Sequence, residues 1–500
     1  MTLATWTRNG VQYDYAIGGL PFFNGIGAPD SIGSLRRGTA PYRKEQFDNA
    51  RNPGEQSLAF WWVRSQTSFH GGAGLEFEEP TENDPWAQFR FWDSLSIDAL
   101  TTPGQVRLAP LTAPVTPAYG PKNNINNMDV FNDGTRDFLV YDGDGSLFAI
   151  TPDATSQNSY KYSAIAPWSG QGKTYVFETI SNKINEIASI DPVTCEITLA
   201  PASWVITPPV SGIQSIHGAF VHGRNIFAMN NQLIELAGPG TGGAAPAPFF
   251  THPSDTWCWT AVWEGPSAIY AAGADSKSQN CAIYRFTLDT SGAVPTLSAG
   301  IVAAQMPRGE KIIGALNFLS TYVVLHTIRG VRVGVFEPQG DIQVGPIIID
   351  HQLGGRDHFA SLPFSDMNAH SKLTMVGRFV YGGMPNNEFQ SIPPKIWMLD
   401  LGAPMPGGYF PYQFIAAGTE TYPSRTAGVL PINGFLWFID SGIDSSTNRG
   451  HIYRFYDGTY QNYGYLTTGK IRFGTLDDKL FRKIRLRLAP LRGTVKIEVI

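Results

Sequence analysis

Six residues in one short stretch have side chains that bind metals: Asp350-His351, Asp357-His358, Asp366 and His370. Imidazole nitrogens and carboxylate oxygens are ordinary zinc ligands, and two Asp-His pairs in a Gly-containing loop can converge on one ion. Neighbours on a loop fix no geometry, however, unlike two histidines one helical turn apart. Solvated loop polarity explains the same letters, and no metal is expected. Asp142-Gly-Asp144-Gly-Ser146 spaces oxygens as a calcium loop does, with Asn132-Asp133-Gly-Thr-Arg-Asp137 just ahead of it. The closing bidentate Glu of such a loop is missing, and an Asp-Gly turn between two strands accounts for the pattern. Glu76, Glu78, Glu79, Glu82 and Asp84, near Trp86 and Trp92, supply the carboxylates that glycoside cleavage needs in pairs. They crowd one loop, where they repel and face solvent. No G-x-S-x-G elbow, phosphate-cradling G-x-x-x-x-G-K loop or nicotinamide fingerprint is present. The residues predict no catalytic group and no cofactor.

Two further sets are candidates for binding. Trp257, Trp259 and Trp263 offer rings that stack on sugars without needing charge, if they are exposed; as blade core they would be covered. Lys479, Arg482, Lys483, Arg485, Arg487 and Arg492 form a basic stripe. On a strand, Arg485 and Arg487 share one face, while Ile484, Leu486 and Leu488 share the other. Such a face suits an acidic partner or an anionic glycan, and it equally suits water.

The elements that must position these residues are strands. Seven segments read as copies of one strand: Ser146–Thr151, Lys183–Ala188, Gln232–Ala237, Ala282–Thr287, Val331–Phe336, Lys395–Asp400 and His451–Tyr456. Apolar pairs sit two apart in them, as Phe148/Ile150, Ile234/Leu236, Tyr284/Phe286, Val333/Val335, Trp397/Leu399 and Tyr453/Phe455; only the second copy breaks the pair, with Asn185 before Ile187. A period of two gives each copy one buried face. A roughly regular repeat of such strands predicts a seven-bladed β-propeller, with six as the alternative blade count. Unrelated strands of a sandwich are the competing reading.

Composition agrees with an all-β chain. Charged residues are 16% of 500, aromatics 12%, and there are 53 Gly and 36 Pro. A net charge of −5 gives no basic surface for nucleic acid. Cys195, Cys258 and Cys281 are too few and scattered for a disulfide framework and read as buried thiols, although Cys258 and Cys281 can fall on neighbouring strands of one blade. No apolar run is long enough to span a bilayer. Met1–Arg8 has neither the basic start nor the apolar run of an export signal, so synthesis in a cytoplasm is expected.

Four regions follow. Residues 1–57, rich in Gly and Pro, read as an extended assembly arm whose Tyr13, Tyr15, Leu20, Phe22 and Phe23 order against other surfaces. Residues 58–125 form an aromatic β segment leading into the propeller, which is expected over 126–468. Residues 469–500 read as the first strands of a C-terminal β-sandwich, apparently incomplete.

Ala16–Phe22, Pro41–Asp48, Pro53–Leu58 and Trp61-Trp-Val-Arg-Ser-Gln-Thr-Ser-Phe-His-Gly-Gly-Ala-Gly74 resemble the start of minor tail proteins from long-tailed phages of actinobacteria. Thr468–Gly474 and Lys479–Leu488 resemble that family's passage out of its propeller; the two stretches cover about a fifth of the chain. The resemblance implies a virion component made and assembled in the host cytoplasm. Its expected partners are other tail proteins, further copies of itself and a host-surface glycan, with no nucleic acid and no membrane insertion. Trp61, Trp62, Arg64, Gln66, Arg485 and Arg487 are the expected assembly residues. Gly71, Gly72 and Gly74 permit a turn with positive φ, and His70 reads as a hydrogen-bonded structural residue. The implied function is a tail-tip structural protein that binds host glycan through loops on one propeller face. A propeller-type depolymerase and a hub that binds only tail proteins are the alternatives.

Overall fold

The computed structural model describes residues 68–74, 89–115, 127–350, 371–384, 395–417 and 424–468, apart from short internal stretches, and the backbone of short strands between 6 and 64. Seven sheets of four or five antiparallel strands succeed one another from residue 128 to residue 460. Their first strands are Met128–Asn132, Ala164–Gly170, Ile216–Val221, Trp257–Gly265, Ile312–Phe318, Thr374–Val376 and Ser424–Ile432, and these define blades 1 to 7.

The apolar clusters establish the ring. Each of seven clusters joins one blade to the next. Phe131, Phe138 and Val140 of blade 1 meet Val176 and Ile187 of blade 2. Trp168 and Phe177 of blade 2 meet Phe227 and Ile234 of blade 3. The series returns to its start where Trp437 and Ile439 of blade 7 pack on Leu139 and Tyr141 of blade 1. The alternation of strand side chains explains this: Val176 faces blade 1 and its neighbour Phe177 faces blade 3, so a single strand serves two interfaces. The chain is a seven-bladed β-propeller.

All seven repeat segments are third strands of their blades. Blade 5 departs from the pattern. Val331 and Val333 face blade 6, whereas Val335 is exposed. A register difference of one residue turns every side chain to the other face. Arg332 therefore points at the blade 4–5 connection, where Nε and Nη2 donate to Oε1 and Oε2 of fully buried Glu310 at 2.7 and 2.9 Å.

The outer strand of blade 7 comes from ahead of blade 1. Pro110–Pro114 pairs with His451–Tyr460, with Leu111 opposite Tyr456 and Pro114 opposite Tyr453. The ring thus begins before the expected residue 126. Two prolines hide this strand in the sequence, and they are tolerated because the strand is an edge. Residues 1–57, read as an extended arm, hold paired strands: Tyr15–Ile17, Leu20–Phe23 and Ser34–Arg37 form one antiparallel sheet with Trp62–Arg64 of the following segment. Residues 469–500, read as a sandwich, lie outside the described residues.

The three cysteines are buried and take part in no disulfide. Cys258 and Cys281 share blade 4 but are not on neighbouring strands: each pairs with Ala274 from opposite sides. Two strand spacings, about 10 Å, separate their backbones, beyond disulfide reach. Burial pushes the Cys281 thiol up to about 12. Among the described residues no helix is long and apolar enough to cross a membrane.

Candidate functional site

The residues with the most specific sequence signature form a neck against the outer strand of blade 6, Tyr412–Ala417. His70-Gly-Gly-Ala-Gly74 lies along Phe89–Trp92. The Gly71 N–H donates to the Phe89 carbonyl at 3.0 Å, and the Phe91 N–H donates to the Gly72 carbonyl at 3.0 Å. The Ala73 N–H then donates to the Tyr412 carbonyl at 2.6 Å. Ala73, Phe91 and Ala99 are buried in the blade 5–6 core with Trp397, Phe410, Tyr412 and Phe414.

The glycines make this approach possible. Gly72 has φ +76°, and a Cβ there would sit 2.5 Å from the Tyr412 nitrogen and 2.7 Å from its carbonyl oxygen. Gly74, at φ +94°, would place one 2.9 Å from the Tyr412 hydroxyl. Gly71 is needed for close approach to Phe89 and Arg90, not for positive φ. His70 supports the turn. Ser68 Oγ accepts the N–H groups of His70 and Gly104, so its own hydrogen goes to His70 Nδ1, 2.8 Å away. Burial holds the His70 pKa below its usual value, which keeps Nδ1 an acceptor.

The outgoing chain joins the same neck. Asp93–Leu95 pairs antiparallel with Tyr465–Thr467, and the Trp92 N–H donates to the Thr467 carbonyl at 2.8 Å. The strand leading into the ring and the strand leading out thus lie side by side. Gln413 of the blade 6 outer strand fastens the pair to the ring: its Oε1 accepts the Ala99 N–H at 2.8 Å and its Nε2 donates to Asp98 Oδ1 at 3.2 Å. Burial alone would raise the Asp98 pKa. Bonds from the Thr101 N–H and from Arg107, with the Arg107 charge, more than offset it and hold the carboxyl below its usual value. Trp92 and Tyr463, at 41% and 67% exposure, flank this strand pair.

Other predicted residues fare differently. Trp257, Trp259 and Trp263 are buried at 3%, 0% and 4%, inside blade 4 and its two interfaces, so none has a face free for a sugar. Their strand is covered on both sides, a burial that aromatic content alone cannot distinguish from exposure. Asp142 is no calcium ligand here: its oxygens accept N–H groups from Asn127 and, at 2.7 Å, from Ala166 of blade 2. Asp144 lies outside the described residues. Asn132–Asp137 is the tight turn expected, with Asp133 Oδ1 accepting the N–H groups of Thr135 and Arg136. Asp350 ends the outer strand of blade 5 and is exposed; the rest of the Asp-His cluster, at 351–370, lies outside the described residues, among which no group of three metal-binding side chains occurs. Trp62 and Arg64 belong to the short strand Trp62–Arg64. Trp61, Gln66, Arg485, Arg487 and the acidic cluster 76–84 lie outside the described residues.

No family model matches the chain, and no curated protein matches it. Among solved structures, a streptogramin B lyase is similar at 13% identity and a TM-score of 0.43, over 71% of this chain and 98% of that one. A virginiamycin B lyase from Staphylococcus aureus is similar at 15% and 0.41, over 69% and 97%. BamB from Moraxella catarrhalis is similar at 10% and 0.36, over 70% and 99%. The likeness is one of fold. Neither the lyase activity nor any other property passes to this chain at such identities.

Proposed function

We propose that the chain is a structural protein of a phage tail tip, whose propeller is a head for host-surface adsorption through glycan binding. One observation supports this reading above the others: the signature residues 70–74 pin the incoming strand to the edge of blade 6, and the outgoing strand pairs with that incoming strand. A head held by a neck leaves its turns free to meet a surface, while the flanks remain for assembly with other tail proteins and further copies of the chain. The sequence resemblance of residues 16–74 and 468–488 to minor tail proteins supports the same reading. The protein acts in this view by binding, without catalysis.

Gold-tagged antibody against this chain, located on intact particles by electron microscopy, tests the proposal. Label at the distal tail tip is the expected result. Expression of the protein with no label on particles would overturn it and make a soluble glycan-cleaving propeller the leading reading.

A further inference from the structure

The ring has a neck side and a far side. The chain enters the ring at Pro110 and leaves it at Tyr460, and these two residues stand opposite one another. That end of the blades carries the turns between first and second strands, such as 132–137 of blade 1. The other face carries the turns between second and third strands and the connections from one blade to the next. On this far face, blades 4 and 5 meet through two turns, 307–310 and 327–330. Between Pro307 and Arg332 the chain has four basic residues and one acidic residue, in a protein of net charge −5.

Both turns are built, and they are locked together. In the first, the Glu310 N–H donates to the Pro307 carbonyl at 3.0 Å, with Gly309 at φ +75°, the backbone that a type II turn asks of glycine. In the second, Thr327 Oγ1 accepts the N–H groups of Arg329 and Gly330 at 3.2 and 3.1 Å. Three contacts join the two. Thr327 Oγ1 donates to Glu310 Oε1 at 3.0 Å, the Ile328 N–H donates to the Lys311 carbonyl at 3.0 Å, and Ile313 packs on Ile328. A Cβ on Gly309 would lie 3.6 Å from Arg329 Nη2, so that guanidinium rests against the turn that carries Arg308.

The charges at this junction do not cancel. Glu310 is occupied by Arg332. Asp275, at the end of the second strand of blade 4, accepts the backbone and side-chain N–H groups of Asn280 at 3.2 and 2.8 Å. Asp350 pairs its backbone with Gly330 and makes no ion pair with either arginine. Among the described residues, the Arg308 and Arg329 guanidinium groups have no hydrogen-bond or ion-pair partner; Arg308 is exposed and Arg329 half-exposed. Two neighbouring guanidinium groups without a carboxylate repel one another. An oxyanion that spans them removes the repulsion and accepts their N–H groups in pairs, and a neutral hydroxyl does neither. We infer that Arg308 and Arg329 form a fork for an oxyanion, carboxylate or phosphate, carried by a host-surface glycan. This deepens the adsorption reading and rests on it for the source of the anion, since the far face is the one turned away from the neck.

The full chain is titrated by calorimetry with polygalacturonate, which bears carboxylates, with poly(glycerol phosphate), which bears phosphates, and with neutral dextran. Binding to at least one acidic polymer and none to dextran is expected, and the polymer that binds identifies the anion. Arg308→Ala and Arg329→Ala should each weaken binding about tenfold, the worth of one charge-assisted hydrogen bond. Both should melt with the parent, because neither side chain has a partner to lose. Arg136→Ala, an exposed turn residue of the neck side, should change nothing. An equal loss in Arg136→Ala, or equal binding to dextran, would overturn the site. Acidic-polymer binding undiminished in the Arg308→Ala, Arg329→Ala double variant would also overturn it and leave adsorption through other loops in place. Failure of the parent to bind either acidic polymer would overturn the site, while tail-tip labelling would decide the virion role independently.

Discussion

Lys372 and Asp129 link blades that are not neighbours. The Lys372 backbone pairs with blade 7, where its carbonyl accepts the Val429 N–H at 3.0 Å, and its Nζ continues to Asp129 Oδ2 of blade 1 at 2.8 Å. Gly428 allows that approach, since a Cβ there would lie 2.6 Å from the Lys372 Cβ. The two partners have unequal weight. Lys372 is 44% exposed and Asp129 is 7% exposed, and Asp129 also accepts the N–H groups of Val130 and Ser169.

Lys372→Met should therefore cost less than about 1 kcal/mol, the usual limit for a half-exposed ion pair. Asp129→Ala should cost roughly 1–3 kcal/mol because it strips a partner from a half-buried N–H group. Urea unfolding of both variants checks the order, and an equal cost would show that the charge pair dominates.

Gly72→Ala should damage the neck and spare the ring. Its positive φ alone costs roughly 1–3 kcal/mol for a side chain, and the obstructing atoms are backbone. Expected is rapid proteolytic cutting near residues 75–92 with the propeller fragment still melting cooperatively. Resistance equal to that of the parent would mean that residues 70–74 are not what holds the neck shut.

The buried pair in blade 5 yields a double-mutant cycle. Arg332→Met leaves the Glu310 carboxylate buried and uncompensated, at a cost of roughly 3–5 kcal/mol. Adding Glu310→Leu should recover most of that loss. Without recovery, the pair would be needed for its bonds to Thr327 and the Gly345 carbonyl, at 3.0 and 2.8 Å.

His252 makes part of the stability depend on pH. Its ring stacks on Trp257 at 4.2 Å, Nδ1 accepts the Ser254 N–H, and Nε2 therefore donates to the Tyr284 hydroxyl at 3.0 Å. Burial holds its pKa below the ordinary 6.5. The unfolded chain takes up the proton first, so this contribution is complete above about pH 6.5 and declines as pH falls towards the folded value. His70 has the same sign. Melting temperature between pH 8 and 5 should fall less steeply in His252→Gln than in the parent, and identical slopes would remove the histidine from the account.

The third strands were legible because a half-buried strand with period two leaves its mark in the letters, and a ring repeats that mark. Blade 5 shows the limit of the pattern: in Val331-Arg-Val-Gly-Val-Phe336 two apolar pairs are possible, and Glu310, distant in sequence, decides which face Arg332 takes. The closing strand was hidden by Pro110 and Pro114, which oppose strand pairing everywhere except at an edge. At the neck, the positive φ of Gly72 and Gly74 follows from the sequence, but the partner that needs it, Tyr412, is more than three hundred residues away.

The side-by-side strands of the neck also set how the molecule responds to tension. Asp93 lies opposite Thr467, so a pull separating the two flanks opens the pair from that end, one bond after another, instead of shearing all its bonds together. The next pair in line is Pro110–Pro114 with His451–Tyr460, the seam of the ring. The incoming strand is also tied to the outer strand of blade 6 through the Ala73–Tyr412 and Ala99–Gln413 bonds, so that blade carries load from the start. Tension between the two flanks would first lengthen the protein at the neck and then load the seam of blade 7.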